Sequence, residues 1–183
     1  MTRRKKIFAA AAVAALAVSG AAHAGTACDL LTEQDAAKLM GAALPENLKS
    51  DTPPTAQNGD DHTMVCGWFP KGYKLATADG PPERAIQLTV HAMKSAAAAK
   101  GLHDASNEGA REIAKMMPGG SKFTPVKDLG PEASLEQSDI AGVQIATLRF
   151  VKGAHAVQIQ AWRKDAAPAA GAVAAGKQIA GKF

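Results

Sequence analysis

Two runs of alternating side chains near the C-terminus, Val143 to Val151 and Ala154 to Trp162, restrict this chain more than any other feature. Each is long enough for a strand. Lys152-Gly153 between them supplies a two-residue turn, with glycine available where a positive φ is needed. Setting Val151 opposite Ala154 brings Leu148 to Val157, Ala146 to Ile159 and Phe150 to His155, so apolar side chains share one face. The other face then carries Val143, Ile145, Thr147, Arg149, Gln158, Gln160 and Trp162. A chain built around such a hairpin has an antiparallel sheet.

Three more strands are expected. Residues 63–69 (TMVCGWF) alternate with Met64, Cys66 and Trp68 on one side. Residues 84–93 (RAIQLTVHAM) turn Ile86, Leu88, Val90 and Ala92 inward, and a short strand at about 133–138 precedes the hairpin. Thr32 is a good N-cap for a helix over Glu33–Met40, which Gly41 ends. Ser95 starts an alanine-rich turn that stops near Gly101. A separate helix runs from Ser106 to Met117, with Ala110, Ile113, Ala114 and Met117 on one side, and Pro118-Gly119-Gly120 ends it. Asp165 caps a last helix marked by Val173, Ile179 and Phe183. Leu44–Asp61, with three prolines and Asn58-Gly59, reads as a surface loop. The expected fold is α+β: a mainly antiparallel sheet of about five strands with helices packed on one face, in the order α-β-β-α-β-β-β-α.

The first 24 residues have the three parts of a secretory signal: Arg3 to Lys6, an apolar run from Ile7 to Val18, and Ala22-His23-Ala24 as a small-x-small cleavage site. The apolar run is too short to span a bilayer, which needs about 20 residues. Cleavage leaves residues 25–183 as a single domain in the periplasm or secreted. Gly25 stands where a lipobox wants an aliphatic residue ahead of Cys28, so no lipid anchor is expected. Four of the 21 basic residues leave with the leader, and 17 basic then balance 17 acidic ones. A nucleic-acid partner therefore has no support from bulk charge. Cys28 and Cys66 make an even count in an oxidising compartment and are expected to pair.

Cys28-Asp29-Leu30-Leu31-Thr32 before an alanine-rich helix, then Cys66-Gly67-Trp68, then Leu129-Gly130-Pro131-Glu132-Ala133 before the final hairpin, form a pattern. It resembles a family of secreted bacterial domains of unknown function, many of them actinobacterial lipoproteins. The resemblance implies an exported α+β domain with a paired cysteine couple and carries no activity.

Candidate chemistry is sparse. There is no nucleophile elbow, phosphate loop or zinc signature. Asp60, Asp61 and His62 could offer oxygen and imidazole ligands to a metal, although adjacent ligands do not complete a site. Glu132 and Glu136 sit on one short strand without a partner the sequence can place. The leading reading is a non-catalytic binding or interaction module without a cofactor, serving an envelope protein or a small ligand. A metal-handling protein or enzyme using His62 and the 58–62 loop is the rival, and a structural envelope component a third. With all helices on one side of the sheet, the other side lies open. Val143, Ile145, Arg149 and Trp162 are then the expected contact surface.

Overall fold

The computed structural model describes residues 26–55, 61–73, 81–116 and 119–183; the expected leader lies outside them. Two short helices open the chain, α1 (Ala27–Leu30) and α2 (Glu33–Met40). Strands β1 (Glu46–Thr52), β2 (His62–Phe69) and β3 (Arg84–Ala92) follow. Helix α3 (Ala96–Met116) leads to β4 (Lys122–Pro125), a 3-10 turn (Lys127–Leu129), β5 (Ser134–Ile140), β6 (Val143–Lys152), β7 (His155–Arg163) and α4 (Ala169–Ala180). The strands form one seven-stranded sheet in the order β1-β2-β3-β7-β6-β5-β4, and all its neighbouring strands are antiparallel.

The topology explains α3. After β3, the third strand from one edge, the chain must reach β4 at the opposite edge before it meanders back through β5 and β6 to lay β7 beside β3. That crossing covers four strand spacings, roughly 19 Å. A helix of 21 residues spans about 30 Å, enough to cross obliquely. Gly101 does not break it, because nothing at that position demands a non-helical conformation. The expected turn to Gly101 and helix from Ser106 are therefore one element.

Three further expectations need correction. The sheet has seven strands, not about five; the two unforeseen ones are its edges. β1 lies inside the stretch read as a loop, and all its residues except Leu48 are exposed, so it has no apolar alternation to find. β4 is four residues long and ends at Pro125. The hairpin turn is Gly153-Ala154 rather than Lys152-Gly153, with Lys152 opposite His155 and Leu148 opposite Ile159. Gly153 takes φ +56° as the first of the two turn residues, the position that favours glycine. The pairing thus shifts by two residues, and because side chains alternate with period two, each stays on its expected face.

The third correction concerns the helices, which occupy both faces. Under α1, α2 and α4 lies the main core, where Cys66, Ile86, Leu88, Ala146, Leu148, Phe150, Val157, Ile159 and Ala161 are buried. Thr32 and Asp35 form a capping box at the start of α2, and Gly41 closes it at φ +69°. The Cys28–Cys66 disulfide ties α1 to β2 with Cα atoms 5.1 Å apart, and Trp68 Nε1 donates to the Leu31 carbonyl at 2.9 Å. A Cβ on Gly176 would lie 2.4 Å from Leu148 Cδ2, so α4 sits on the sheet at a distance only glycine permits. Helix α3 lies against β6 and β7 from the opposite side. Its Asn107 meets Ser134, which pairs with Arg149 and belongs to the alternate series of side chains.

Candidate groove between helix α3 and strand β4

Where α3 passes over the β4–β5 edge, it leaves a groove of about 670 Å³. Its helical wall is the row Asp104, Asn107, Glu108, Arg111, Glu112 and Lys115, spaced by three or four residues so that all share one face. Phe123, Thr124 and Pro125 of β4 and the 131–134 turn form the other wall.

The floor is polar and buried. His103, Asn107 and Ser134 are each less than 10 % exposed. Ser134 Oγ donates to Asn107 Oδ1 at 2.9 Å, and the Asn107 amide meets His103 Nε2 at 3.1 Å. His103 Nδ1 lies 3.3 Å from Asp104 Oδ1. Such groups are retained beneath a helix only when they satisfy one another, since each stranded one costs about 1–3 kcal/mol. Next to this floor, Arg149 donates to Glu136 at 2.8 Å and to Gln158 at 3.0 Å. Ser134 Oγ bonds to the Asn107 amide and not directly to the imidazole. The arrangement orients hydrogen bonds across the floor.

Charge gathers at the mouth and rim. Lys100 Nζ bridges Asp104 at 2.8 Å and Glu132 at 2.9 Å. The hydrogen bond from Lys100 holds the Asp104 carboxyl below its ordinary pKa, and the bonds to Asp104 and Glu132 push the Lys100 ammonium above its own. Lys100 and Asp104 are therefore both charged at neutral pH. At the rim, the Arg111 guanidinium stacks over Phe123 at 5.4 Å, and Lys115 pairs with Glu112 at 2.6 Å.

The residues singled out from the sequence lie elsewhere. Val143 and Ile145 are buried, each about 5 % exposed, so this part of the second face is not the open surface expected. Trp162 is half-buried, with its ring tilted against Phe69 at a centroid distance of 6.5 Å. Arg149 is largely enclosed in its pair with Glu136. Asp60 lies outside the described residues. Asp61 and His62 diverge: Asp61 Oδ2 meets His91 Nδ1 at 3.0 Å, whereas His62 Nε2 meets Asp51 at 2.5 Å. Neighbouring residues entering a strand point to opposite faces, which separates them as co-ligands. Among the described residues, the cluster with metal-ligand spacing is His103, Asp104 and Glu132. Sequence reasoning missed it because it ended an element at Gly101. An unbroken helix would have placed residues 100, 103, 104, 107 and 111 on one face.

The fold and groove define a class: an antiparallel sheet between two helical layers, one pinned by a disulfide and the other set over a polar floor. The same fold occurs in the extracellular domain of PknH from Mycobacterium tuberculosis. The two structures agree with a TM-score of 0.59 over 86 % of this chain and 93 % of that one, at 13 % sequence identity. No protein-family model and no curated protein matches the sequence.

Proposed function

We propose that this chain is an exported, non-catalytic binding module, released from its leader after Ala24, and that it takes a small polar ligand in the α3–β4 groove. The observation that carries the reading is the buried Ser134–Asn107–His103 array on the groove floor. A helix serving only to cover a sheet would place apolar side chains there, as α4 does on the other face. Export is supported by the leader, by the paired cysteines and by a structural neighbour that is itself an extracellular domain. The groove binds through preplaced hydrogen-bonding groups on rigid elements, which keeps the ordering cost of binding low.

Two-dimensional NMR of the labelled protein, titrated with a low-molecular-weight periplasmic extract, tests the site. Shifts should concentrate on the backbone of Asn107, Phe123 and Ser134 and on the Asn107 side-chain amide. Glu108→Trp, an exposed change that fills the groove, should abolish them without unfolding the chain. Shifts confined to the Ile145–Trp162 end of the sheet would refute the assignment.

A further inference from the structure

We infer that the mouth of the groove is a zinc site in which His103, Asp104 and Glu132 supply the ligands and Lys100 is the resident cation that zinc displaces. The inference does not depend on what the groove binds. One nitrogen and two carboxylate donors converge there, with ligand atoms all within 4.8 Å of one another. A tetrahedral ion holding its ligands at about 2.1 Å keeps them roughly 3.4 Å apart. The pair His103 Nδ1 and Asp104 Oδ1 already stands at 3.3 Å, and Glu132 is a long, partly exposed side chain able to close the remainder.

Two features distinguish this cluster from an ordinary surface ion pair. The first is the imidazole. Its side chain is only 2 % exposed, and the amide nitrogen of Asn107, itself bonded to Ser134, lies beside the ring at 3.1 Å from Nε2 and 3.4 Å from Nδ1. A second group that fixes ring orientation is the usual support of a ligating histidine. When Nδ1 binds a metal, Nε2 carries the proton and needs an acceptor. Turning the Asn107 amide by half a revolution presents Oδ1 to Nε2 and Nδ2 to Ser134 Oγ, which can accept as readily as donate. The same three groups therefore satisfy both states.

The second feature is the cation already there. Lys100 bridges the two carboxylates, so the pocket between them is one that a positive charge fills. Its side chain and that of Asp104 are each about half exposed, and exposed ion pairs of this kind are weak. Displacing the ammonium into solvent therefore costs little. A divalent ion balances both carboxylates, which one ammonium does not. The nitrogen-plus-oxygen donor set suits zinc, whereas calcium wants six to eight oxygens. Three protein ligands leave a fourth position for water or for a group on the groove's ligand.

The test uses the purified protein, stripped with a chelator and titrated with Zn²⁺ alone against a chromophoric competitor, with Mg²⁺ and Ca²⁺ as comparators. One zinc per chain should bind, and neither comparator should displace it. Asp104→Asn and Glu132→Gln should each weaken binding tenfold or more. Lys100→Met should tighten it, since the competing cation is gone, and His62→Ala should leave it unchanged. These four positions are on the surface, so the variants should fold as the parent does, which circular dichroism checks; His103→Ala is avoided because it empties a buried site. The inference is overturned if no one-to-one binding appears, if the carboxylate variants bind as the parent does, if Lys100→Met weakens binding, or if His62→Ala abolishes it.

Discussion

Helices α3 and α4 lie on the same two strands, β6 and β7, from opposite sides, yet they pack by different physics. Helix α4 is almost all alanine and glycine where it meets the sheet, with Ala172, Ala175, Gly176 and Ile179 buried. It approaches so closely that the Leu148 and Leu129 side chains fill the space a Gly176 side chain would need. Helix α3 instead buries Ala99 and Ala114 near its ends and His103 and Asn107 between them. Along β6 the alternation assigns Ala146, Leu148 and Phe150 to the first interface, and Thr147 and Arg149 to the second. One strand thus has one face in a core that holds by contact and dispersion and the other in a layer tied in part by a directed hydrogen bond, from Ser134 on the neighbouring strand to Asn107. The first tolerates no added atom. The second keeps a groove open beside it.

The sharpest way to break this comparison is to unpin the contact-packed side. Cys28→Ser removes the bridge between α1 and β2, whose ends are 38 residues apart. The chain-entropy relation puts the loss at about 4 kcal/mol. Urea melts of parent and variant measure it, and superimposable curves would show that the bridge does not hold this layer. Next comes Gly176→Ala, which forces a methyl group against Leu148 and Leu129. Overpacking of this kind costs roughly 1–3 kcal/mol, and the same melts should show the midpoint falling.

On the polar side, Asn107→Ala strands the Ser134 hydroxyl and His103 Nε2 together, while His103 Nδ1 keeps Asp104. Both line the groove, where water can reach them, so the loss should sit near the low end of the range for stranded polar groups, about 1 kcal/mol. The side-chain hydroxyl proton of Ser134 should exchange faster by NMR. The smallest effect has the opposite sign. A Cβ on Gly101 meets nothing within 4 Å, so Gly101→Ala should stabilise α3 by about 0.5–1 kcal/mol. Thermal melts of Gly101→Ala and Gly176→Ala, run side by side, should move in opposite directions; a common direction would mean the two helices are packed alike.

The antiparallel sheet, its hairpin and the identity of each face were legible because alternation reports a strand buried between two layers. Because the register differs from the expected one by two residues, Leu148 and Phe150 keep one face and Thr147 and Arg149 the other. The edge strands were not legible. β1 reads Glu-Asn-Leu-Lys-Ser-Asp-Thr, a run whose strand state comes from its ladder to β2 and not from any buried face. The groove was hidden by Gly101. A glycine is a fair stop signal in an isolated peptide, yet it costs only about 1 kcal/mol inside a helix, and a crossing helix with a sheet beneath it absorbs that cost.

The cysteine pairing, the N-cap at Thr32 and the β6–β7 hairpin follow from local pattern and composition, because each is decided by residues close in sequence or by an even cysteine count. Which side α3 takes, and therefore whether the second face is open or covered, depends on how the chain travels from β3 to the far edge of the sheet. No local pattern encodes that route, since it is set by which strands pair over long separations. Glu132 shows the consequence. In sequence it is a carboxylate near no partner, and only the crossing of α3 brings Lys100, His103 and Asp104 to it, because a helix laid across a sheet edge joins residues that the chain itself holds some thirty positions apart.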